Sequence, residues 1–255
     1  MYQAITFDIA DDIAVLRLNR PEVMNALNRQ MRVELTQAIG IASEKARVLV
    51  LTGAGRAFCS GQDLADTSAV IDLEAVLNDE YVPLLRAIYD CQVPVIAAVN
   101  GVAAGAGANL ALACDVVIAS EDAAFVQAFT RIGLIPDAGG TWFLPRQIGL
   151  ARALGAMLFA DKIPARQAAD WGMIYEVVPA GEFMAHWMER AGSLAKGPTA
   201  AFRHLKAALQ ASANNGLEAQ LAVEARLQAA CGATVDFSEG VAAFLEKRPA
   251  RFQGR

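Results

Sequence analysis

The hydrophobic pattern of the first fifty residues changes period once. Ile5-Thr6-Phe7-Asp8-Ile9 and Ile13-Ala14-Val15-Leu16-Arg17-Leu18 alternate as strands do, with Ala10-Asp11-Asp12 as a tight turn between them. Asn28 stands where a helix N-cap belongs, and Met31, Leu35, Ala38, Ile39 and Ala42 then recur at helical spacing. Val48-Leu49-Val50-Leu51-Thr52, ending at Gly53, is the short continuous apolar run of a strand buried on both faces. A Gly- and Ser-rich loop follows, then a helical stretch from about Asp72 to Asp90. Val95 to Val99 reads as another buried strand closed by Asn100-Gly101, Gly105 to Ala113 as a helix, and Val116-Val117-Ile118-Ala119 as a strand. This order predicts an α/β fold built on buried sheet.

From Ala138 onward the pattern is mostly helical. Phe183, Trp187 and Ala191, with Met184 and Met188, form the apolar stripe of one helix. Asp236 with Glu239 resembles a capping box opening the last helix, Phe237 to Lys247. No linker rich in Pro, Ser or Gly divides the chain and no repeat is visible. It reads as one domain, with a core over residues 1–195 and a helical C-terminal extension over 196–255.

Composition narrows the functional classes. With 55% hydrophobic and 19% charged residues, the chain has enough apolar surface for a large core and is not disordered. Net charge is −5 with no long block of one sign, which argues against nucleic acid as a partner. Cys59, Cys91, Cys114 and Cys231 form no CxxC pair, so they read as small buried hydrophobes in a reducing, cytoplasmic setting. The two histidines, His186 and His204, belong to no metal-binding motif, and no metal is expected. The N-terminus lacks the basic start and apolar core of a signal peptide. Val93 to Cys114 carries no charge, but its proline, glycines, asparagines and acidic flanks favour a strand, turn and helix over a membrane span.

Three segments can carry chemistry. In Thr52-Gly53-Ala54-Gly55-Arg56-Ala57-Phe58-Cys59-Ser60-Gly61-Gln62-Asp63-Leu64 a strand empties into a Gly-rich loop with exposed backbone N–H groups. In Val99-Asn100-Gly101-Val102-Ala103-Ala104-Gly105-Ala106-Gly107-Ala108-Asn109-Leu110 small residues open a helix, whose first N–H groups lack internal partners. Close helix packing explains the same small residues equally well. In Gly133-Leu134-Ile135-Pro136-Asp137-Ala138-Gly139-Gly140-Thr141-Trp142 an acid precedes a helix, and by itself Asp137 reads as an N-cap.

Together and in this order, these segments resemble the crotonase (enoyl-CoA hydratase/isomerase) superfamily. Leu18-Asn19-Arg20-Pro21, Asn25-Ala26-Leu27, Cys114-Asp115 and Asp236-Phe237-Ser238-Glu239-Gly240 extend the resemblance over essentially the whole chain. The runs around Gly105 and Asp137 look most like the branch that isomerises ring-1,2-epoxyphenylacetyl-CoA to an oxepin. The resemblance implies a spiral of ββα units with a C-terminal helical region that builds trimers, often paired into hexamers. It implies an acyl-CoA substrate, whose coenzyme A is part of the substrate and not a separate cofactor.

Residue by residue, the resemblance implies an oxyanion hole from the N–H groups of Gln62 and Ala106, with Gly105 and Gly107 as neighbouring alternatives to the second. Two backbone donors there stabilise charge on a thioester oxygen. The two glutamates of hydratases correspond to Asn109 and Phe129, neither of which can act as a base. Asp137 corresponds to the branch's catalytic aspartate, and one carboxylate suffices to move a proton. Met24, Ala26, Leu27, Arg56 and Ala57 resemble the walls of the coenzyme A site, which Phe244 and Lys247 close, often from a neighbouring subunit. Solvent exposure is the plainer reading of Arg56 and Lys247. Tyr81, Asn109, Phe129 and Trp142, with Phe143, are candidates for an acyl pocket, although aromatic residues more often pack a core. Asp63, Asp66 and Asp115 read as loop-structuring acids. A general Δ3/Δ2-enoyl-CoA isomerase, a hydratase and a silent acyl-CoA-binding homologue are the competing expectations.

Overall fold

The structure, a computed structural model, describes residues 2–66 and 72–255. Strands β1 (Ile5–Ala10) and β2 (Ile13–Leu18) form an antiparallel hairpin. Asp11 and Asp12 turn it with φ of 50° and 64°, the left-handed geometry that matches strand twist in a two-residue hairpin loop. Helix α1 (Arg29–Lys45) starts at Asn28, whose side chain accepts the Met31 N–H at 2.9 Å.

The chain then climbs in repeated turns. Strand β3 (Val48–Gly53) is followed by β4 (Ala57–Cys59), then by a short helix α2 (Leu73–Val76), a π turn (Leu77–Tyr81) and α3 (Val82–Tyr89). Strand β5 (Val95–Val99) leads to β6 (Val102–Ala104) and α4 (Ala106–Leu112). Strand β7 (Val116–Ser120) leads to β8 (Ala124–Val126), a 3-10 turn (Ala128–Ile132), α5 (Gly140–Ile148) and α6 (Leu150–Phe159). In each turn the first strand joins one sheet and the second joins another. The larger sheet also takes β10 (Glu176–Val178) and has the order β1-β2-β3-β5-β7-β10, parallel beyond the first pair. The smaller sheet has the order β4-β6-β8-β9, closed by the antiparallel β9 (Ile163–Pro164), after which comes helix α7 (Ala165–Asp170). This is a spiral of ββα units.

Burial explains the continuous apolar runs. Leu49 and Leu51 of β3 face the main core, with Leu16, Leu35, Ile39 and Val95. Val48 and Val50 face the opposite side, where Phe183, Trp187, Ala191 and Ala195 of helix α8 (Phe183–Ala195) cover the sheet. Met184 and Met188, expected on that stripe, point into solvent, because the packed face repeats at four-residue steps from Phe183. Strands β4, β6 and β8 were not expected. They are three-residue elements whose small or glycine-flanked segments carry no alternation to read. The uncharged stretch from Val93 folds as β5, β6 and α4, and no helix among the described residues is long and apolar enough to cross a membrane.

Helices α9 (Thr199–Ser212), α10 (Leu217–Gly232) and α11 (Val235–Glu246) form the C-terminal region. Lys206 anchors α9 to the core through Asp115 at 2.7 Å and the Val93 carbonyl at 3.2 Å. Thr234, and not Asp236, caps α11 by accepting the Phe237 N–H at 3.1 Å. Asp236 is instead buried and accepts the N–H groups of Gln253 and Gly254 at 2.6 and 2.7 Å, while Glu239 pairs with Arg248. A capping-box spacing therefore has a different use here: both acids fasten the chain's final residues.

One polar side chain locks the corner between β2 and β4. Buried Asn25, at φ 57°, donates to the carbonyls of Ala54, Ala57 and Phe58 at 2.9, 2.9 and 3.2 Å. It also accepts the Arg20 N–H at 2.9 Å. Asn25→Ala strands those buried groups and places in left-handed backbone a residue that tolerates it less well than asparagine does. It is expected to lower the unfolding free energy by about 2–4 kcal/mol, read by urea denaturation.

Candidate active site

Two backbone segments converge on one cavity. Gln62 pairs with Leu27 in a single parallel bridge, in which the Leu27 N–H donates to Gly61 O at 2.8 Å and the Asp63 N–H to Leu27 O at 3.1 Å. Both bonds belong to Gln62's neighbours, so the Gln62 N–H faces away from Leu27. Opposite it, Ala106 opens α4, where the first N–H groups have no carbonyl a turn earlier to meet. The segments sit unusually close. A β-carbon on Gly61, whose φ is 94°, would lie 2.8 Å from the Ala104 carbonyl and 3.4 Å from the Ala106 nitrogen. One on Gly107 would lie 2.4 Å from the Cys59 carbonyl. The small residues thus do pack closely, and that packing is what sets the Gln62 and Ala106 backbone side by side. Gly105 carries the positive φ of 51°, so alanine is tolerated at 106.

Gln62, Ala106 and Asp137 all line a cavity of about 460 Å³. Much of the remaining wall is apolar, from Leu73, Val76, Leu77, Tyr81, Phe129 and Leu134, while Ser60, Asp63, Asp66 and Arg131 also line it. Asp137 stands in a strained loop, followed by Ala138 at φ 47° and Gly139 at φ 77°. It caps nothing: the residue before α5 is Gly139, and no side chain caps that helix. Among the described residues, Asp137 Oδ1 is buried without a hydrogen-bond partner. Burial favours the neutral acid and pushes the carboxyl up to about 6 from 3.8, although its own backbone N–H offsets part of that.

The two positions that resemble the hydratase glutamates behave differently. Phe129 lines the cavity, as expected of an acyl-pocket residue. Asn109 does not line it. It is wholly buried, donates to the Asp137 carbonyl at 2.8 Å and accepts from Gln127 Nε2 at 2.8 Å. Its amide holds the loop that carries Asp137. Trp142 is the second correction: it lies outside the cavity, 36% exposed, packed edge-on against Tyr89 and Phe143 with Arg146 over its ring. It sits two residues into α5, on the face turned from Asp137's pocket toward α3. Tyr81 is in the cavity wall, and its hydroxyl donates to Gln62 Oε1 at 2.6 Å.

The residues expected against coenzyme A divide by exposure. Met24 and Arg56 are exposed, and the Met24 carbonyl accepts the Ser60 N–H at 3.0 Å, at the rim of the cavity. Ala26, Leu27 and Ala57 are buried, and the Leu27 N–H and carbonyl are already paired with Gly61 and Asp63. Phe244 and Lys247 are exposed on the C-terminal helices, and neither lines the Asp137 cavity. Phe244 instead lines an apolar groove of about 980 Å³ among α9, α10 and α11. Asp63 structures its loop, accepting the Ala65 N–H at 3.0 Å and pairing with Arg20 at 2.8 Å. Asp115 accepts the Val95 N–H at 2.7 Å. His186 pairs with Glu176 at 2.9 Å far along the sheet edge. The cysteines are free thiols, and burial pushes Cys59 up to about 12. Among the described residues no group of three or more His, Cys, Asp or Glu is placed to hold a metal.

Sequence reasoning missed Arg32, Glu80 and Gln127. Arg32 had a signal: it lies three and seven residues before Leu35 and Ile39, on the buried stripe of α1. Gln127 had none, since it follows a strand too short to recognise.

Comparison with known proteins agrees with this geometry. The enoyl-CoA hydratase/isomerase family model matches residues 8–255. The chain is 62% identical to a Rhodobacter capsulatus protein named "Probable enoyl-CoA hydratase", over all of this chain and 99% of that one. It is 43% identical to the 1,2-epoxyphenylacetyl-CoA isomerase of Escherichia coli K12, over the full length of both. The crystal structure of an enoyl-CoA hydratase from Bacillus anthracis superposes with a TM-score of 0.92 at 33% identity, covering 99% of this chain and all of that one. Strand by strand and along its whole length, the chain belongs to the enoyl-CoA hydratase/isomerase family.

Proposed function

We propose that this protein is an acyl-CoA isomerase that acts on an unsaturated or epoxidised arylacetyl thioester, with Asp137 as its acid–base group. One observation carries the reading: Asp137, a desolvated carboxylate with an unpartnered oxygen, lines the same largely apolar cavity as Gln62 and Ala106. The thioester oxygen accepts from the N–H groups of Gln62 and Ala106. Asp137 takes a proton from the carbon next to the thioester, and the electron pair moves onto that oxygen as an enolate. The same acid returns the proton at a distal carbon, so substrate and product are isomers and no other reagent is consumed. For the epoxide, ring expansion to the oxepin has the same balance. The 43% identity to 1,2-epoxyphenylacetyl-CoA isomerase and the apolar walls around Phe129 and Tyr81 support a ring-bearing acyl group.

A hydratase is the second reading, favoured by the name of the 62% identical relative. Against it stand Asn109, engaged with the Asp137 loop, and apolar Phe129, neither of which can activate water. Rates of crotonyl-CoA hydration and 3-enoyl-CoA isomerisation, measured side by side, separate the two; dominant hydration overturns the isomerase.

Coenzyme A is proposed to lie along Met24, Ala26, Leu27, Arg56 and Ala57, with Phe244 and Lys247 supplied by a neighbouring copy. The exposed apolar faces of α9 to α11, including Leu205, Leu209, Phe237 and Val241, support a trimer or a pair of trimers. Sedimentation velocity is expected to give three or six copies.

Asp137→Asn is expected to reduce isomerisation at least 10³-fold while coenzyme A thioesters still bind by calorimetry; unchanged turnover removes Asp137 from the chemistry (order of magnitude from general acid–base contributions of about 10²–10⁴). In the unsubstituted enzyme the base form must be present, so kcat/KM is expected to rise with pH through about 6 and then level.

The same substitution is expected to stabilise the fold. A carboxyl raised from 3.8 to about 6 by burial favours folding while protonated, and that contribution is lost as pH rises through about 6. Urea unfolding of Asp137→Asn is therefore expected to show a gain of about 1–3 kcal/mol at pH 7.5 and a smaller one at pH 5.

A further inference from the structure

Arg32 lies on α1 with its side chain wholly removed from solvent, and every N–H of its guanidinium has a partner. Nη1 donates to the Leu27 carbonyl and to Gln62 Oε1, each at 2.8 Å. Nε and Nη2 hold Glu80 Oε2 at 2.8 and 2.6 Å, and Nη2 lies 3.4 Å from Asp66 Oδ2. The Tyr81 ring sits 5.0 Å from its Cζ, and the Tyr81 hydroxyl shares Gln62 Oε1 with it at 2.6 Å. The planar fork thereby touches both sides of the Leu27–Gln62 bridge and the π turn that walls the cavity.

We propose that Arg32 is a positioning residue: it fixes the orientation of the Gln62 N–H and ties that orientation to the Leu73–Tyr81 wall of the acyl pocket. This rests on the reading of Gln62 as an oxyanion donor. Its physical basis is that the Gln62 N–H has no side chain of its own to steer it. Its direction follows from the Leu27 bridge below and the Gln62 amide above, and one guanidinium grips both. A buried ion pair is weak evidence of stabilisation, since an apolar replacement of similar volume is often neutral. Geometry is the role left to it, and a donor displaced by about 1 Å can cost 10²-fold in rate. Glu80 balances the charge and joins the π turn, so an acyl group pressing on Leu77 or Tyr81 acts on the same cluster that aims the donor.

The test uses the full-length protein and 4-aminocinnamoyl-CoA, whose absorption moves to longer wavelength when donors polarise its thioester carbonyl. The unsubstituted protein is expected to shift the chromophore on binding. Arg32→Met combined with Glu80→Gln removes both charges and keeps the volume. It is expected to bind 4-aminocinnamoyl-CoA with affinity changed less than about 3-fold, to lose most of the shift, and to lower isomerase kcat about 10–100-fold with little change in KM. Arg32→Lys keeps the charge without the fork and is expected not to rescue either property. Tyr81→Phe, which removes only one hydroxyl from Gln62 Oε1, gives a milder loss in the same direction and serves if the others fail to fold. A full shift and full kcat in these variants overturn the role of Arg32 alone. Absence of the shift in the unsubstituted protein overturns the oxyanion reading of Gln62 and this inference with it.

Discussion

Backbone passes backbone between Cys59–Gly61 and the start of α4, at a distance no side chain would allow. A β-carbon on Gly107 would sit 2.4 Å from the Cys59 carbonyl, and one on Gly61 would sit 2.8 Å from that of Ala104. Because the two segments touch along their main chains, Gln62 and Ala106 line the same cavity. Backbone groups placed this way are held by the fold before any ligand arrives, which is what the proposed oxyanion role of Gln62 and Ala106 requires. The spiral makes the contact: β4 and β6 pair in the smaller sheet, and the segments in question are their immediate continuations.

Around that contact, polar side chains hold loops and apolar ones wall the cavity. Asn25 fastens three carbonyls of the Gly-rich corner, Arg32 grips Leu27 and Gln62, and Asn109 holds the Asp137 carbonyl with Gln127 behind it. Asn25 and Asn109 are held by backbone and amide partners, and Arg32 also by the Glu80 carboxylate. Asp137 is the contrast, since its Oδ1 is buried and unpartnered among the described residues. A carboxyl with one oxygen left without a donor in largely apolar surroundings is unfavourable for folding, and the same burial brings it to about 6. Asn109 shows how a position can change its work. At the position that resembles a hydratase glutamate, this chain has an amide facing away from the cavity toward the loop that bears Asp137.

Much of the scaffold was legible because long apolar runs and caps are local. The hairpin, α1 with its Asn28 cap, and the buried strands at Val48, Val95 and Val116 stand where the periodicity puts them. The three-residue strands β4, β6 and β8 escaped, for a strand that short has no period and its pairing lies 20 or more residues away in sequence. Asp236 and Glu239 have the spacing of a cap, yet their partners are in the last residues of the chain, which no local pattern announces. Trp142 followed Asp137 closely enough to be placed in the pocket, but helical geometry turned it toward Tyr89.

By itself the sequence determined the α/β class, the family, the segments that carry Gln62, Ala106 and Asp137, and the positions where Asn109 and Phe129 stand. These follow from residue types and spacings within single segments. Only the tertiary structure decided that Gln62, Ala106, Asp137, Tyr81 and Phe129 share one cavity, that Asn109 lies behind it, and that a buried arginine from α1 reaches the donor strand. Those facts depend on which backbone segments approach one another and on which way each side chain turns, and both are set by packing between residues far apart in the chain.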